Sequence, residues 1–389
     1  RHILTALHPQ TSLANFHRNL SQDAVMLKEV RHSIAVVFIA LLSQNTFATG
    51  SPSLPALGAL PDQTSISGLS SGAFMAAQFH VAYSKDLVGV GIVAGGPWNC
   101  AASNPAVPPI KNAVSTCMDP CKYSWFGCSS DLFPNSGYLA DLANATASQG
   151  YIDNPHNLHD DQVYLFSGKN DKTVMTGVVD TARDFYHKLG LKDDQILYNS
   201  QVNAGHAFVT ADPDHTPCSE TEAPYINACD IPQAQRILKH IYGEMQPAVE
   251  TPSGDLVRFN QREFFSTDMT SMDDDAYVYI PQNCRTEQCR VHVALHGCRQ
   301  GISVIGKTYI EQTGYMEAAD NNNIVVLYPQ VKKSSNNTMN PRGCWDFWGY
   351  STNNLPPYTY FRKDAPQMKA IKSMIDRLSS LPAQLRPQQ

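Results

Sequence analysis

Residues 65–79 read SISGLSSGAFMAAQF, two adjacent serines held between Gly68 and Gly72. Gly68-Leu69-Ser70-Ser71-Gly72 fits the pattern GxSxG with Ser70 at its centre. A serine in that pattern sits on a cramped strand-to-helix turn, where a Cβ on either flank would collide with neighbouring backbone. The surroundings supply both halves of such a turn. TSIS upstream reads as a short strand, and AFMAAQFHVAYSK downstream reads as a helix whose N-terminal dipole favours negative charge near Ser70. The competing reading is a Gly/Ser turn without chemistry, and the flanking strand and helix weigh against it.

A nucleophilic serine needs a base and an acid to orient that base, in the chain order Ser, Asp, His. Asp171, in FSGKNDKTV, follows an apolar run at 163–166. His206, in NAGHAF, follows another at 196–202. Asp160 and Asp180 occupy pre-strand and helical positions, and His187 and His240 fall in helix patterns, so all four suit these roles less well.

Apolar runs at 89–96, 161–168, 195–202, 275–281, 290–297 and 323–330 read as strands. The segments 180–190 and 365–381 have amphipathic helical spacing. This alternation predicts an α/β fold with a largely parallel central sheet flanked by helices. A composition break at 245–254 reads as a surface connection.

One expected feature is displaced. Several strands ordinarily precede the serine, one of them ending in a His-Gly loop whose backbone N–H helps to bind an oxyanion. Only about 20 residues separate Ala48 from Ser70, fewer than the roughly 30 of one βαβ unit. The strand CRVHVALHGC, ending in His296-Gly297-Cys298, lies near the other end of the chain. Joining the C-terminus to residue 60 restores the usual order, so the chain reads as a circular permutation and as a single domain. Gly301 to Thr308 also matches the phosphate-binding pattern GxxxxGK[ST]. A phosphate loop starts directly at a strand end, whereas here His296, Gly297 and Cys298 intervene, so Lys307 reads as a solvent-facing helix residue.

Residues 26–48, MLKEVRHSIAVVFIALLSQNTFA, have the layout of a secretory signal: Lys28 and Arg31, an apolar run at 34–42, and a small-residue site ending at Ala48. A run of about nine apolar residues is too short for a membrane anchor, which needs ~20. Residues 1–25 then read as an upstream extension outside the fold, and 49–389 as the catalytic domain. All 10 cysteines lie beyond the proposed cleavage point, which agrees with export and pairing. Cys284 with Cys289 and Cys218 with Cys229 are local candidates, and Cys117, Cys121 and Cys128 cluster after Cys100. No zinc spacing is present. The net charge of −6, with dispersed Lys and Arg, gives no footprint for nucleic acid.

Through GLSSGAFMAAQ, GIVAGGPWNCA, SGKNDKTV, NAGHAF, LHGC and GCWDFWGY, residues 60–376 resemble secreted polyhydroxybutyrate depolymerases of the single-domain, circularly permuted α/β-hydrolase type. The resemblance implies Ser70 as nucleophile, Asp171 as orienting acid, His206 as base, and oxyanion N–H groups from Ser71 and Cys298. It further implies that Trp345 or Trp348 borders a substrate cleft. It implies a monomeric serine esterase acting on 3-hydroxybutyrate polymer or oligomers outside the cell or in the periplasm, with no cofactor, metal, nucleic acid or membrane partner once the signal is cleaved. No separate polymer-binding module is visible, so any adsorption surface belongs to the catalytic domain, for which residues 345–361 offer a dense supply of aromatics. A secreted carboxylesterase for small or plant-derived esters would share the same residues.

Overall fold

A computed structural model describes residues 50–122, 124, 125, 127–334, 340–352 and 355–382. The upstream extension and the proposed signal at 26–48 lie outside the described residues. From residue 51 onward the chain forms one compact unit.

The strands in chain order are β1 (Thr64–Leu69), β2 (Leu87–Val93), β3 (Gln162–Phe166), β4 (Ile196–Asn199), β5 (Phe208–Thr210), β6 (Thr216–Pro217), β7 (Ile226–Ala228), β8 (Asp255–Asn260), β9 (Asp275–Ile280), β10 (Arg290–Leu295) and β11 (Ile324–Tyr328). Among the described residues the helices of ten residues or more are α1 (Ser71–Ala82), α2 (Ser136–Ser148), α3 (Thr176–Lys188), α4 (Gln233–Tyr242) and α5 (Pro366–Ser379). The main sheet runs β4-β3-β2-β1-β10-β11-β9-β8. Its first six strands are parallel, while β9 and β8 join antiparallel at the far edge.

The sheet explains the displaced loop. β1 lies at the centre and pairs in parallel with β10, Thr64 opposite Val291 through Gly68 opposite Leu295. Strands more than 220 residues apart in sequence are therefore immediate neighbours, as the permuted order requires. The two ends of the domain meet: Leu57 N–H donates to Leu378 O at 3.0 Å, and Gly58 N–H to Ser380 O at 2.9 Å.

Both faces of the parallel strands are covered, which is why these strands are nearly continuous apolar runs rather than alternating ones. Met75 of α1, Val178 of α3 and Met368 of α5 belong to the core on one face. Ile237 of α4, with Tyr315 and Ala318 from a short helix, belongs to the core on the other. All twelve residues of α1 are buried. A helix with no polar face suits the middle of the molecule, and α1 is held there directly behind Ser70.

The ten cysteines form five pairs: Cys100–Cys117, Cys121–Cys128, Cys218–Cys229, Cys284–Cys289 and Cys298–Cys344. The two local candidates are among them. The phosphate-loop pattern does not form a phosphate loop. Ile302–Ile305 is a four-residue helix, and Lys307 is exposed, caps the next short helix and pairs with Glu311.

Candidate active site

Ser70 leaves β1 and enters α1 with φ 56° and ψ −121°, a conformation rare outside glycine. Such strain persists only where the surroundings enforce it. The enforcing contacts are those the motif predicts. A Cβ on Gly68 would lie 2.3 Å from Gly72 O, and one on Gly72 would lie 2.4 Å from Leu295 O. The second contact brings the end of β10 against the serine turn. The Cβ position of Gly297 is likewise 3.4 Å from Ser70 Cβ. His296-Gly297-Cys298 therefore lies beside Ser70, although more than 220 residues separate them.

Asp171 and His206 arrive from the same edge of the sheet. Ser70 N–H donates to Val93 O, Ala94 N–H to Phe166 O, Ser167 N–H to Asn199 O and Asn170 N–H to Ala204 O. These bonds align the C-terminal ends of β1 to β4 and the loops that follow them. Asp171 Oδ1 accepts the N–H groups of Thr173 and Val174 at 2.8 and 2.9 Å, and Oδ2 lies 2.7 Å from His206 Nδ1. A carboxylate only accepts, so this contact places the proton on Nδ1 and leaves Nε2 its lone pair. His206 N–H donates to Thr221 Oγ1 at 2.8 Å, and the segment beyond it is closed by Cys218–Cys229 and carries the small sheet β5-β7-β6. The Ser70 hydroxyl makes no hydrogen bond among the described residues. Catalytic contacts are commonly loose without substrate and tighten when it binds.

Among the described residues, neither the Ser71 nor the Cys298 N–H has a protein acceptor. Ser71 is the first residue of α1, where helix geometry leaves the N–H unbonded. Ser71 Oγ meanwhile accepts Trp345 N–H at 3.2 Å, and Cys298–Cys344 ties the same strap to the His-Gly loop.

A cavity of about 700 Å³ opens on Ser70 and Ser71. Phe74, Met118, Val174, Phe347 and Trp348 give it a mainly apolar wall, with Lys122 and Arg342 also on it. His206 and Asp171 do not line it and are nearly buried. The two tryptophans part company here. Trp348 borders the cavity, whereas Trp345 is fully buried, its ring 5.7 Å from that of His296, and it works from behind by holding Ser71. Phe347, Tyr350 and Tyr360 are buried too, so this aromatic run builds wall and core rather than an exposed face. Asp346 explains its compactness: the carboxylate accepts the N–H groups of Trp348, Gly349, Tyr350 and Ser351. The other histidines and acids set aside earlier lie elsewhere. His187 bonds Leu191 O, and His240 bonds Gln195 O.

Sequence reasoning passed over His296 and Gln300 as individual residues. His296 Nδ1 is 2.7 Å from Gly297 O and its Nε2 receives Val331 N–H at 3.3 Å, which sets the tautomer as Nδ1–H. The signal was present in LHGCRQ, but reading it needed partners remote in sequence.

A serine on a strained strand-to-helix turn, an Asp–His pair on following loops and two free N–H groups on a mostly parallel sheet are the marks of an α/β serine hydrolase. No family model matches the chain. The chain is 41% identical over 333 residues to a poly(3-hydroxybutyrate) depolymerase of Delftia acidovorans, with 84% of this chain and 62% of that protein covered. It is 34% identical over 343 residues to a polyhydroxybutyrate depolymerase of Talaromyces funiculosus, covering 84% of this chain and 92% of that one. Two solved structures cover 84% of this chain and 98% of their own at 31% identity. One is a serine-to-alanine PHB depolymerase complexed with an R3HB trimer, with a TM-score of 0.70; the other is PHB depolymerase from Penicillium funiculosum, at 0.69. The chain belongs to the polyhydroxybutyrate depolymerase family. It spans under two thirds of the Delftia relative's length and nearly all of the Talaromyces one.

Proposed function

We propose that this chain is an extracellular serine esterase that hydrolyses poly(3-hydroxybutyrate)-type short-chain polyesters through an acyl-enzyme intermediate. The reading is carried by the 2.7 Å Asp171–His206 pair on the sheet edge that also bears Ser70, at the mouth of a mainly apolar cavity. His206 Nε2 takes the Ser70 proton as Oγ attacks the ester carbonyl, and Asp171 holds the Nδ1–H tautomer and stabilises the imidazolium. The Ser71 and Cys298 N–H groups receive the charge that develops on the carbonyl oxygen, each such donor being worth roughly 2.7–4 kcal/mol. His206 returns the proton to the leaving hydroxyl, and water, activated by the same imidazole, releases the acyl group.

Apolar wall and scarce polar contacts suit a methyl-branched polyester, and Trp348 borders that wall. Residues 26–48 are then a signal removed on export, 1–25 an upstream extension, and 49–389 one catalytic domain working as a monomer. Five cysteine pairs support an oxidising destination. Among the described residues no helix is long and apolar enough to cross a membrane.

The test compares wild type with Ser70→Ala on poly(3-hydroxybutyrate) granules and on a soluble short-chain ester, measuring released 3-hydroxybutyrate oligomers and free acid. Wild type releasing oligomers and the variant releasing none supports the reading. Turnover of the soluble ester alone would point instead to a small-ester carboxylesterase.

A further inference from the structure

The loop from His296 to Gln300 and the segment around His206 reach the active site from places about 90 residues apart in the chain. We propose that Gln300 is a positioning residue for ester hydrolysis, bracing the loop that carries the Cys298 N–H against the segment that carries His206. The inference rests on the esterase reading above.

Gln300 is 1% exposed and each end of its amide is used. Oε1 accepts Gly297 N–H at 2.7 Å, and Nε2 donates to Pro224 O at 2.8 Å and to Tyr225 O at 3.4 Å. The 221–225 segment that it grips is the one holding the base. Thr221 Oγ1 accepts His206 N–H at 2.8 Å, and Tyr225 O accepts Phe208 N–H at 2.9 Å. His206 is thus bracketed by two bonds to the segment whose position Gln300 fixes.

The other side of the loop completes the geometry. His296 Nδ1–H donates to Gly297 O, and in a planar trans peptide the next N–H, that of Cys298, points the opposite way. His296 therefore sets the direction of that N–H, and Gln300 sets its distance from His206. An amide can accept at one atom and donate at another; a carboxylate only accepts, and an alkyl group does neither. The two segments lie about 75 residues apart in sequence, so no short stretch of backbone can substitute for the brace.

Donors that act on developing charge lower the barrier without tightening substrate binding, so the loss falls on kcat. The experiment measures kcat and KM on a soluble short-chain ester across pH for wild type, Gln300→Glu and Gln300→Leu, with organophosphate labelling of Ser70 and thermal unfolding alongside. Gln300→Leu is expected to lower kcat on the order of 10²-fold, as a small misplacement can, with KM changed by less than about twofold. Gln300→Glu, nearly isosteric, turns an ionised oxygen toward two carbonyls at high pH. Its kcat relative to wild type is expected to climb as pH falls, because the protonated acid regains a donor. Should Gln300→Leu fail to fold, that pH-dependent ratio decides alone. Both variants within about twofold of wild type in kcat, a loss confined to KM, or a Gln300→Glu ratio flat with pH would overturn the proposal. Wild type that neither turns over the ester nor takes the label would instead overturn the esterase reading beneath it.

Discussion

His292 and His296 are neutral imidazoles inside the protein, kept so by burial. Burial pushes His292 down to about 3 and His296 down to about 4 from an ordinary value of 6.5. His292 stands between the Ser65 and Ser67 hydroxyls at 2.6 and 2.7 Å, and Ser67 also bonds Tyr315, so each hydroxyl partner can reverse its role but none carries a charge. Above pH ~6.5 both forms of the chain leave these histidines neutral, and nothing is lost. Between ~6.5 and ~4 the unfolded chain binds protons that the folded one refuses, so stability falls with pH by up to ~1.4 kcal/mol per unit for each histidine. Thermal unfolding of wild type is therefore expected to show a declining Tm over that window, and His292→Asn a shallower decline; equal slopes would refute the assignment. The same residues mark the limit of reading chemistry from sequence. Ser70, Asp171 and His206 were legible because spacing and strand ends identify them. Gln300 was not, because its role depends on carbonyls 75 residues away.

At the level of elements, the buried parallel strands and the helices α1, α3 and α5 declare themselves through unbroken apolar runs or helical spacing, whereas α2 went unread. β8 does not, since an edge strand in DLVRFN is only partly buried and its pattern is weak. The aromatic strap at 345–350 was legible as a cleft element but not in its layering, with Trp348 on the wall and Trp345 beneath, because composition does not tell which side faces the cavity. Exposure instead concentrates at Trp125, 93% exposed on the loop closed by Cys121–Cys128, with Met118 and Lys122 of the cavity wall close by in sequence. A large apolar side chain held out in water is suited to meeting a solid apolar surface. Trp125→Ala is expected to slow hydrolysis of polymer granules several-fold while leaving the soluble ester unchanged. Equal rates on granules would remove this residue from the adsorption surface.

For the molecule as a whole, the permutation inferred from a misplaced His-Gly loop is visible in the β1–β10 pairing and in the meeting of residues 57–58 with 378–380. What sequence could not give is how tightly those ends meet, a matter of backbone bonds rather than side-chain pattern. A gene joining residue 382 to residue 55 and opened within the exposed 245–254 connection is expected to fold and keep ester hydrolysis within about tenfold of the parent. An insoluble or inactive product would show that the present order of strands matters to folding.

The meeting point of residues 57–58 with 378–380 is set well apart from the catalytic serine. It lies where β1 and β10 begin, whereas Ser70 and Cys298 lie where those strands finish, a strand length of roughly 20 Å away. Cargo joined directly at residue 57 or residue 380, be it a purification handle, a fluorescent reporter or a tether to a bead, starts from the side of the sheet opposite the catalytic serine, leaving that serine turned toward whatever the anchored enzyme is brought to.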